Sequence, residues 1–136
     1  MDKYTKIFLV LIGVVILSIL TWNYLEDPRV SELNRLLEQD HVVSSYPYRF
    51  RVLRVSNDLA VISSPRDSTF PMFKALGIIF PRLANRAQNS PDLMQAQQRM
   101  AEVQKRTKRI VIESGRVERV EWELDRKWLM NKGIIF

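Results

Sequence analysis

Hydrophobic and polar positions follow three rhythms along this chain, and each predicts a different kind of element. From Ile7 to Leu25 no residue is charged across 19 positions, with Lys3 and Lys6 before the run and Glu26 and Asp27 after it. A helix rises about 1.5 Å per residue, so this run matches the hydrocarbon thickness of a bilayer. A continuous helix also bonds every backbone amide internally where no water is at hand. The run is apolar all round rather than on one face, which argues against a helix buried in a soluble core. Its most apolar part, Ile7 to Leu20, also has the length of a signal-peptide centre. The stretch Ser18 to Tyr24 carries no pair of small residues at cleavage spacing, so an uncleaved signal anchor is expected. Trp22 and Tyr24 at the far end, and Tyr4 at the near end, suit the headgroup level.

The second rhythm is helical and one-sided. Asp27-Pro28 opens a helix, because the carboxylate accepts from orphan amides and proline is pre-set for the first helical position. Val30, Leu33, Leu36 and Leu37 then share a face to about Asp40, with Glu32, Arg35 and Glu38 opposite. Ser90-Pro91-Asp92 repeats the signal, with Asp92 at the positive end of the dipole. Leu93, Ala96, Met100, Val103, Thr107 and Ile110 come next at spacings of three and four, predicting a helix to about Lys108. As a coiled-coil seam this is short, about two and a half heptads, so packing on a sheet is the expected use.

The third rhythm is alternation. Tyr48, Phe50 and Val52 alternate with Arg49 and Arg51, and the phase slips by one across Leu53 to Val55, the mark of a bulge or of burial on both sides. Ser56-Asn57-Asp58 is a tight turn, since Asn and Asp tolerate positive φ, and Leu59 to Ile62 returns as the second strand of an antiparallel hairpin. A third strand is expected to begin at Ile110 to Ile112, with a turn at Ser114-Gly115 and a fourth strand over Val117 to Leu124. In that last strand Val120, Trp122 and Leu124 alternate with Glu121, Glu123 and Asp125. These carboxylates are placed to answer the arginines at 49, 51 and 54 as cross-strand neighbours.

One stretch fits none of the three. Between Phe70 and Phe80 only Lys74 is charged, and Pro71 and Pro81 bracket a helix of about three turns, too short to cross a bilayer. It admits two readings. It is the most buried helix of the core, or a surface element that dips into the membrane interface or docks on an integral-membrane partner. Gly77 stands alone, which excludes a phosphate loop here.

Assembled, the elements give an α+β chain. A single transmembrane helix precedes a small two-layer α/β sandwich with a four-stranded antiparallel sheet of two hairpins and about three helices. The order of hairpin, helix and hairpin over roughly residues 48–125 is similar in arrangement to the BON modules of bacterial envelope proteins, with Asn57-Asp58 at the place of their glycine-containing turn. No motif accompanies that order, and no family is assigned on it. The apolar tail, Arg126 to Met130 and Ile134 to Phe136, is expected to be tied down on the domain or at the membrane.

Composition narrows the function rather than the fold. Apolar residues make up 46% and charged residues 26%, which suits one globular domain after the anchor. By the positive-inside rule, residues 1–6 are cytoplasmic, 7–25 form the transmembrane signal anchor, and 26–136 form an extracytoplasmic domain, periplasmic at a bacterial inner membrane. The absence of cysteine removes thiol nucleophiles, thiolate ligands and lipid acylation, and leaves the redox compartment open. The single histidine, His41, falls at the end of the first amphipathic helix and reads as a capping or surface residue. One histidine builds neither a zinc site nor a serine triad. Glu121 and Glu123 lie about 7 Å apart along one strand face, a spacing a glycosidase uses, but no cleft is evident beside them. No enzyme activity, cofactor or metal site is expected. The net charge of +6 favours anionic partners, yet the basic residues lack interleaved surface aromatics, so nucleic acid is not among them.

The expected function is therefore a non-enzymatic, single-pass membrane protein serving as an accessory, scaffold or assembly subunit of a membrane or cell-envelope complex. Partner contact is expected from the apolar helix, through Phe70, Met72, Phe73, Leu76, Ile79 and Phe80, and from the basic cluster Lys105, Arg106, Lys108 and Arg109. The alternative is a peripheral lipid-binding module, in which the same two patches meet the anionic headgroups of the anchoring membrane.

Overall fold

The structure, a computed structural model, describes residues 2–24 and 27–135. Leu25, Glu26 and Phe136 lie outside them, and with these the expected boundary between anchor and domain and the end of the apolar tail. The side chains of Trp22 and Tyr24 are likewise outside the described set. The first helix, α1 (Lys3–Tyr24), covers the apolar run. It is long and apolar enough to cross a membrane, and none of its Lys3–Thr21 window is buried against the rest of the chain. Its two hydroxyls are silenced locally: Ser18 donates to the Val14 carbonyl at 2.8 Å and Thr21 to that of Leu17 at 2.7 Å.

Asp27 caps α2 (Pro28–Gln39) by accepting from the Arg29 amide at 3.0 Å. The stripe of α2 buries Leu33 and Leu37 completely or nearly so, while Leu36 stays exposed. Asp40 ends α2 and at once caps a further short helix that the sequence pattern does not predict, α3 (His41–Ser45), through the Val43 amide. His41 is exposed at its first position. The chain then runs extended, burying Tyr48 and Phe50, into β1 (Val52–Ser56) and β2 (Leu59–Ser64). The hairpin forms as expected. Val52 pairs with Ile62 but Arg54 with Val61, so the bulge falls at the phase slip, and Asn57 turns the corner at φ 55°.

The second hairpin does not exist. The helix that Ser90 caps, α5 (Pro91–Glu113), runs straight through Ile110 to Ile112. The physical reason is the seam itself: Val111 lies four residues beyond Thr107, and both are fully buried on the face that carries Leu93, Met100 and Val103. Burial of that continuous stripe outweighs the strand preference of three β-branched residues, a difference of only tenths of a kcal/mol each. Gly115, at φ 77°, then reverses the chain. The helix has carried the chain back along the sheet, so β3 (Arg119–Leu124) joins β2 in parallel, from Leu59 opposite Arg119 to Ser64 opposite Leu124. The sheet is thus three-stranded and mixed, in the order β1-β2-β3, rather than four-stranded and antiparallel. The hairpin at the end of the expected arrangement over 48–125 is lost with it.

The central strand β2 is buried on both faces from Ala60 to Ser64. The core that it joins also holds Leu33, Leu76, Met100, Val103, Val111 and Leu129, each at 0% exposure. A chain of rings links the extended segment to the C-terminal helix α6 (Arg126–Asn131): Phe50 meets Tyr48 edge-on at 5.0 Å, and Tyr48 meets Trp128 at 4.9 Å. The outer edge of β1 is closed at the bulge by Asn34. Its carboxamide donates to the Val52 carbonyl at 3.0 Å and accepts from the Val52 amide at 2.7 Å, replacing a neighbouring strand at one rung.

Candidate functional site

The stretch that fits no simple rhythm becomes α4 (Met72–Ile79). The turn before it is organised by Asp67, whose Oδ1 accepts from the Thr69 amide at 2.7 Å, the Thr69 hydroxyl at 2.6 Å and the Phe70 amide at 2.8 Å. The Thr69 hydroxyl in particular holds the Asp67 carboxyl below its usual range. Phe70, Ala75 and Leu76 are thereby pressed into the core, while Met72, Phe73, Ile78, Ile79 and Phe80 are only partly buried against it. The helix is a core element with one apolar flank left half open.

Two backbone devices complete that flank. Gly77 packs against the residue that follows the 3-10 turn at Pro81–Leu83, close enough that an added Cβ would lie 3.1 Å from Ala84 Cα, a tight contact that the turn would have to yield to. At the end of α6, the Gly133 amide donates to the Met130 carbonyl and the Ile134 amide to that of Leu129, both at 3.0 Å, with Gly133 at φ 89°. This left-handed cap turns Ile134 back onto the core, with Ile135 93% exposed beyond it. Between this tail and α4 lies an open groove of about 730 Å³, lined by Phe70, Phe73, Gly77, Ile78, Ile134 and Ile135, with Lys74 at its lip.

The groove lies far from α1 along the strand direction. Arg29, in the first turn of α2, donates through one guanidinium nitrogen to the Asn57 carbonyl at 2.7 Å and the Arg116 carbonyl at 3.1 Å. The start of α2, the β1–β2 turn and the end of α5 therefore meet at one end of the domain. Four peptide steps join Tyr24 to Pro28, a reach of at most about 14 Å, so this end is the one held near α1. β2 leads away from it for about 20 Å before the chain reaches Phe70 and α4. At that end Arg116 pairs with Glu32 at 3.2 Å and Arg119 with Asp58 at 2.9 Å.

The basic cluster divides. Arg106 is engaged by Asp40 in a two-pronged pair of 2.8 and 2.7 Å that clamps α5 to the start of α3, and its guanidinium holds the Asp40 carboxyl below the usual range. Lys105, Lys108 and Arg109 are exposed on the outer face of α5. They do not sit at the helix end, because another turn comes after them. The carboxylates of β3 also divide. Glu123 pairs with Arg54 at 2.7 Å, reaching across β2, while Glu121 stays exposed.

Asp125 is the residue whose weight the sequence pattern does not disclose. It is 5% exposed, receives the Tyr48 hydroxyl at 2.8 Å and Arg51 at 3.0 Å on one oxygen, and caps α6 with the other through the Trp128 amide at 3.2 Å. Burial opposes its charge, but the Tyr48 hydroxyl and Arg51 outweigh that and leave its pKa lowered. Burial likewise pushes the Tyr48 hydroxyl well above its ordinary value and Tyr46 up to about 12. The signal available in sequence was the Asp-Arg-Lys-Trp start of a short helix; the pairing with Tyr48, 77 positions away, was not. Each oxygen of Asp125 is committed to holding elements together, and among the described residues no three histidine, aspartate or glutamate side chains converge to hold a metal. Compared with known proteins, the chain matches no family model, no curated protein and no solved structure.

Proposed function

We propose that this chain is a non-enzymatic, single-pass membrane protein whose domain, residues 26–136, acts as an accessory or assembly subunit of a membrane or cell-envelope complex. In this reading the N-terminus is cytoplasmic and the domain extracytoplasmic, at the inner membrane of a bacterium. The observation that carries it is the groove between α4 and the C-terminal tail. Among the described residues this groove gathers four apolar side chains, Phe73, Ile78, Ile134 and Ile135, half open or exposed on one flank, at the end remote from α1. That placement favours an apolar protein surface over the headgroups of the anchoring bilayer, which lie at the other end.

The test uses the full chain, crosslinked in membranes, purified in mild detergent and analysed for stoichiometric companions, beside Phe73→Asp and Ile78→Asp. A partner lost in both variants, with the thermal unfolding of the domain retained, supports the reading. Purification of the chain alone, with the α4 amides protected from hydrogen exchange by anionic but not neutral nanodiscs, would replace it with the lipid-binding alternative. Orientation is read separately from a single engineered thiol, Ser31→Cys at an exposed position of α2, labelled from one side of intact cells.

A further inference from the structure

The two edges of the sheet are treated differently. Asn34 closes the edge of β1, whereas among the described residues no strand or side-chain amide pairs with the outer edge of β3. The direction of its backbone groups follows from the ladder. Arg119 and Asp125 both send their amides to β2, onto the Asp58 and Ser64 carbonyls at 2.9 and 2.8 Å, and they stand an even number of residues apart. In a parallel pair alternate residues face the neighbour, so 119, 121, 123 and 125 are spent on β2. Val120, Trp122 and Leu124 present their N–H and C=O groups outward.

Beside this edge runs a groove of about 490 Å³ between β3 and α5, lined by Trp122, Arg66, Gln104, Lys105 and Lys108, with one carboxylate, Asp67, whose Oδ1 is taken up by Thr69 and the Phe70 amide. Its floor is built: Arg66 Nε donates to Gln104 Oε1 at 3.2 Å, and Gln104 Nε2 donates to the fully buried Ser64 hydroxyl at 3.3 Å. Among the described residues Arg66, Lys105 and Lys108 make no ion pair. Three cations without an ion pair, against the single carboxylate of Asp67, thus flank a row of unused strand hydrogen-bonding groups.

We propose that the outer edge of β3 receives an extended segment of a partner protein that carries acidic side chains at alternate positions. Those opposite Val120, Trp122 and Leu124 face α5 and meet Arg66, Lys105 and Lys108. The intervening positions share the other face with Glu121 and Glu123 and are uncharged or basic. Main-chain bonds supply affinity and the charge alternation supplies register. A second copy of this chain is a poor occupant, because the two antiparallel registers that overlap β3 with itself best set Glu121 against Glu121 or against Glu123.

The test measures binding of a fluorescent peptide of alternating Glu and Thr to the full-length protein in detergent, with a Lys-Thr peptide as control. The Glu-Thr peptide is expected to bind at least about tenfold tighter, to lose that margin in Lys105→Glu/Lys108→Glu, and to slow exchange of the Val120, Trp122 and Leu124 amides. Val120→Pro removes an outward amide without touching the β2 ladder and is expected to abolish binding; should it fail to fold, the charge reversal on exposed α5 still decides. Equal binding of both peptides, or binding that leaves the β3 amides exchanging freely, overturns the proposal. So does concentration-dependent protection of β3 without peptide, which would make the edge a self-association surface.

Discussion

Two helices of this chain are almost purely apolar, and they have opposite fates. α1 has 22 residues and buries none of its apolar window in the rest of the chain; α4 has eight, buries Ala75 and Leu76 completely, and rests its remaining apolar residues half against the core. Composition does not separate them. Length does: a helix long enough to cross a bilayer and apolar on every side has no use for a sheet, whereas eight residues between two prolines span about 12 Å and gain most by capping a core. The lesson for α4 is that being apolar on more than one side still leaves a surplus face after folding, and here that surplus lines the groove.

The sharpest way to break this contrast is to charge the middle of α1. Val14→Arg with Leu17→Arg is expected to cost about 5–7 kcal/mol of membrane insertion, read as loss of the protein from the membrane fraction, while the domain still unfolds at its usual denaturant midpoint. The matching change in α4, Leu76→Ala, acts the other way round. It is expected to cost the domain about 2–5 kcal/mol in denaturant unfolding and to leave membrane insertion unchanged, whereas Leu11→Ala in α1 shifts that unfolding by less than about 0.5 kcal/mol. Asp125→Ala strands the Tyr48 hydroxyl and removes the cap of α6, for about 2–3 kcal/mol. Because α6 positions Ile134 and Ile135, it should also loosen the groove, visible as faster exchange of the α4 amides.

The pH dependence sharpens the same point, since α1 carries no titratable side chain from Ile7 to Thr21 while the domain carries several. Asp40 and Asp125 have folded pKa values below the ordinary 3.8, so their contribution is complete above that value and is lost as pH falls through the lowered ones. Tyr46 and Tyr48 are raised above 10.0, so theirs is intact below pH 10 and is lost as pH climbs toward 12, the value reached by Tyr46. Thermal unfolding should therefore be flat across neutral pH and fall below about pH 4 and above about pH 10, with tyrosinate absorbance reporting the alkaline limb. Among the changes within the domain, the smallest expected effect is that of Gly77→Ala. The new methyl meets Ala84 Cα at 3.1 Å and should cost about 1 kcal/mol or less by pushing the 3-10 turn away. Partner binding at the groove should suffer more than stability does.

Where the physics is local, residue patterns alone specify the outcome. The apolar N-terminal helix, the Asp27-Pro28 and Ser90-Pro91 helix starts, the bulge near Leu53 and the Asn57 turn all appear where caps, periodicity and backbone preference put them. The pattern misleads most at one place, Ile110 to Ile112, and the consequence is large. Three β-branched residues in a row favour a strand by tenths of a kcal/mol, but Val111 also continues a buried seam begun at Leu93, and only the packed molecule shows which claim prevails. Extending α5 by one turn and a half converts a hairpin into a crossover, turns β3 parallel to β2 and removes a strand from the sheet.

By itself, then, the sequence determined the membrane-compatible helix, the one-domain scale of the remaining chain, and the helix and hairpin signals set by neighbours within a few residues. Only tertiary structure decided that β3 runs parallel and leaves one edge open, and that Asp125 is held by Tyr48 and Arg51. It also decided that Arg106 belongs to Asp40, and that Ile134 folds back to make a groove with α4. Each of these depends on contacts between residues dozens of positions apart, whose energies become available only once the chain has closed on itself.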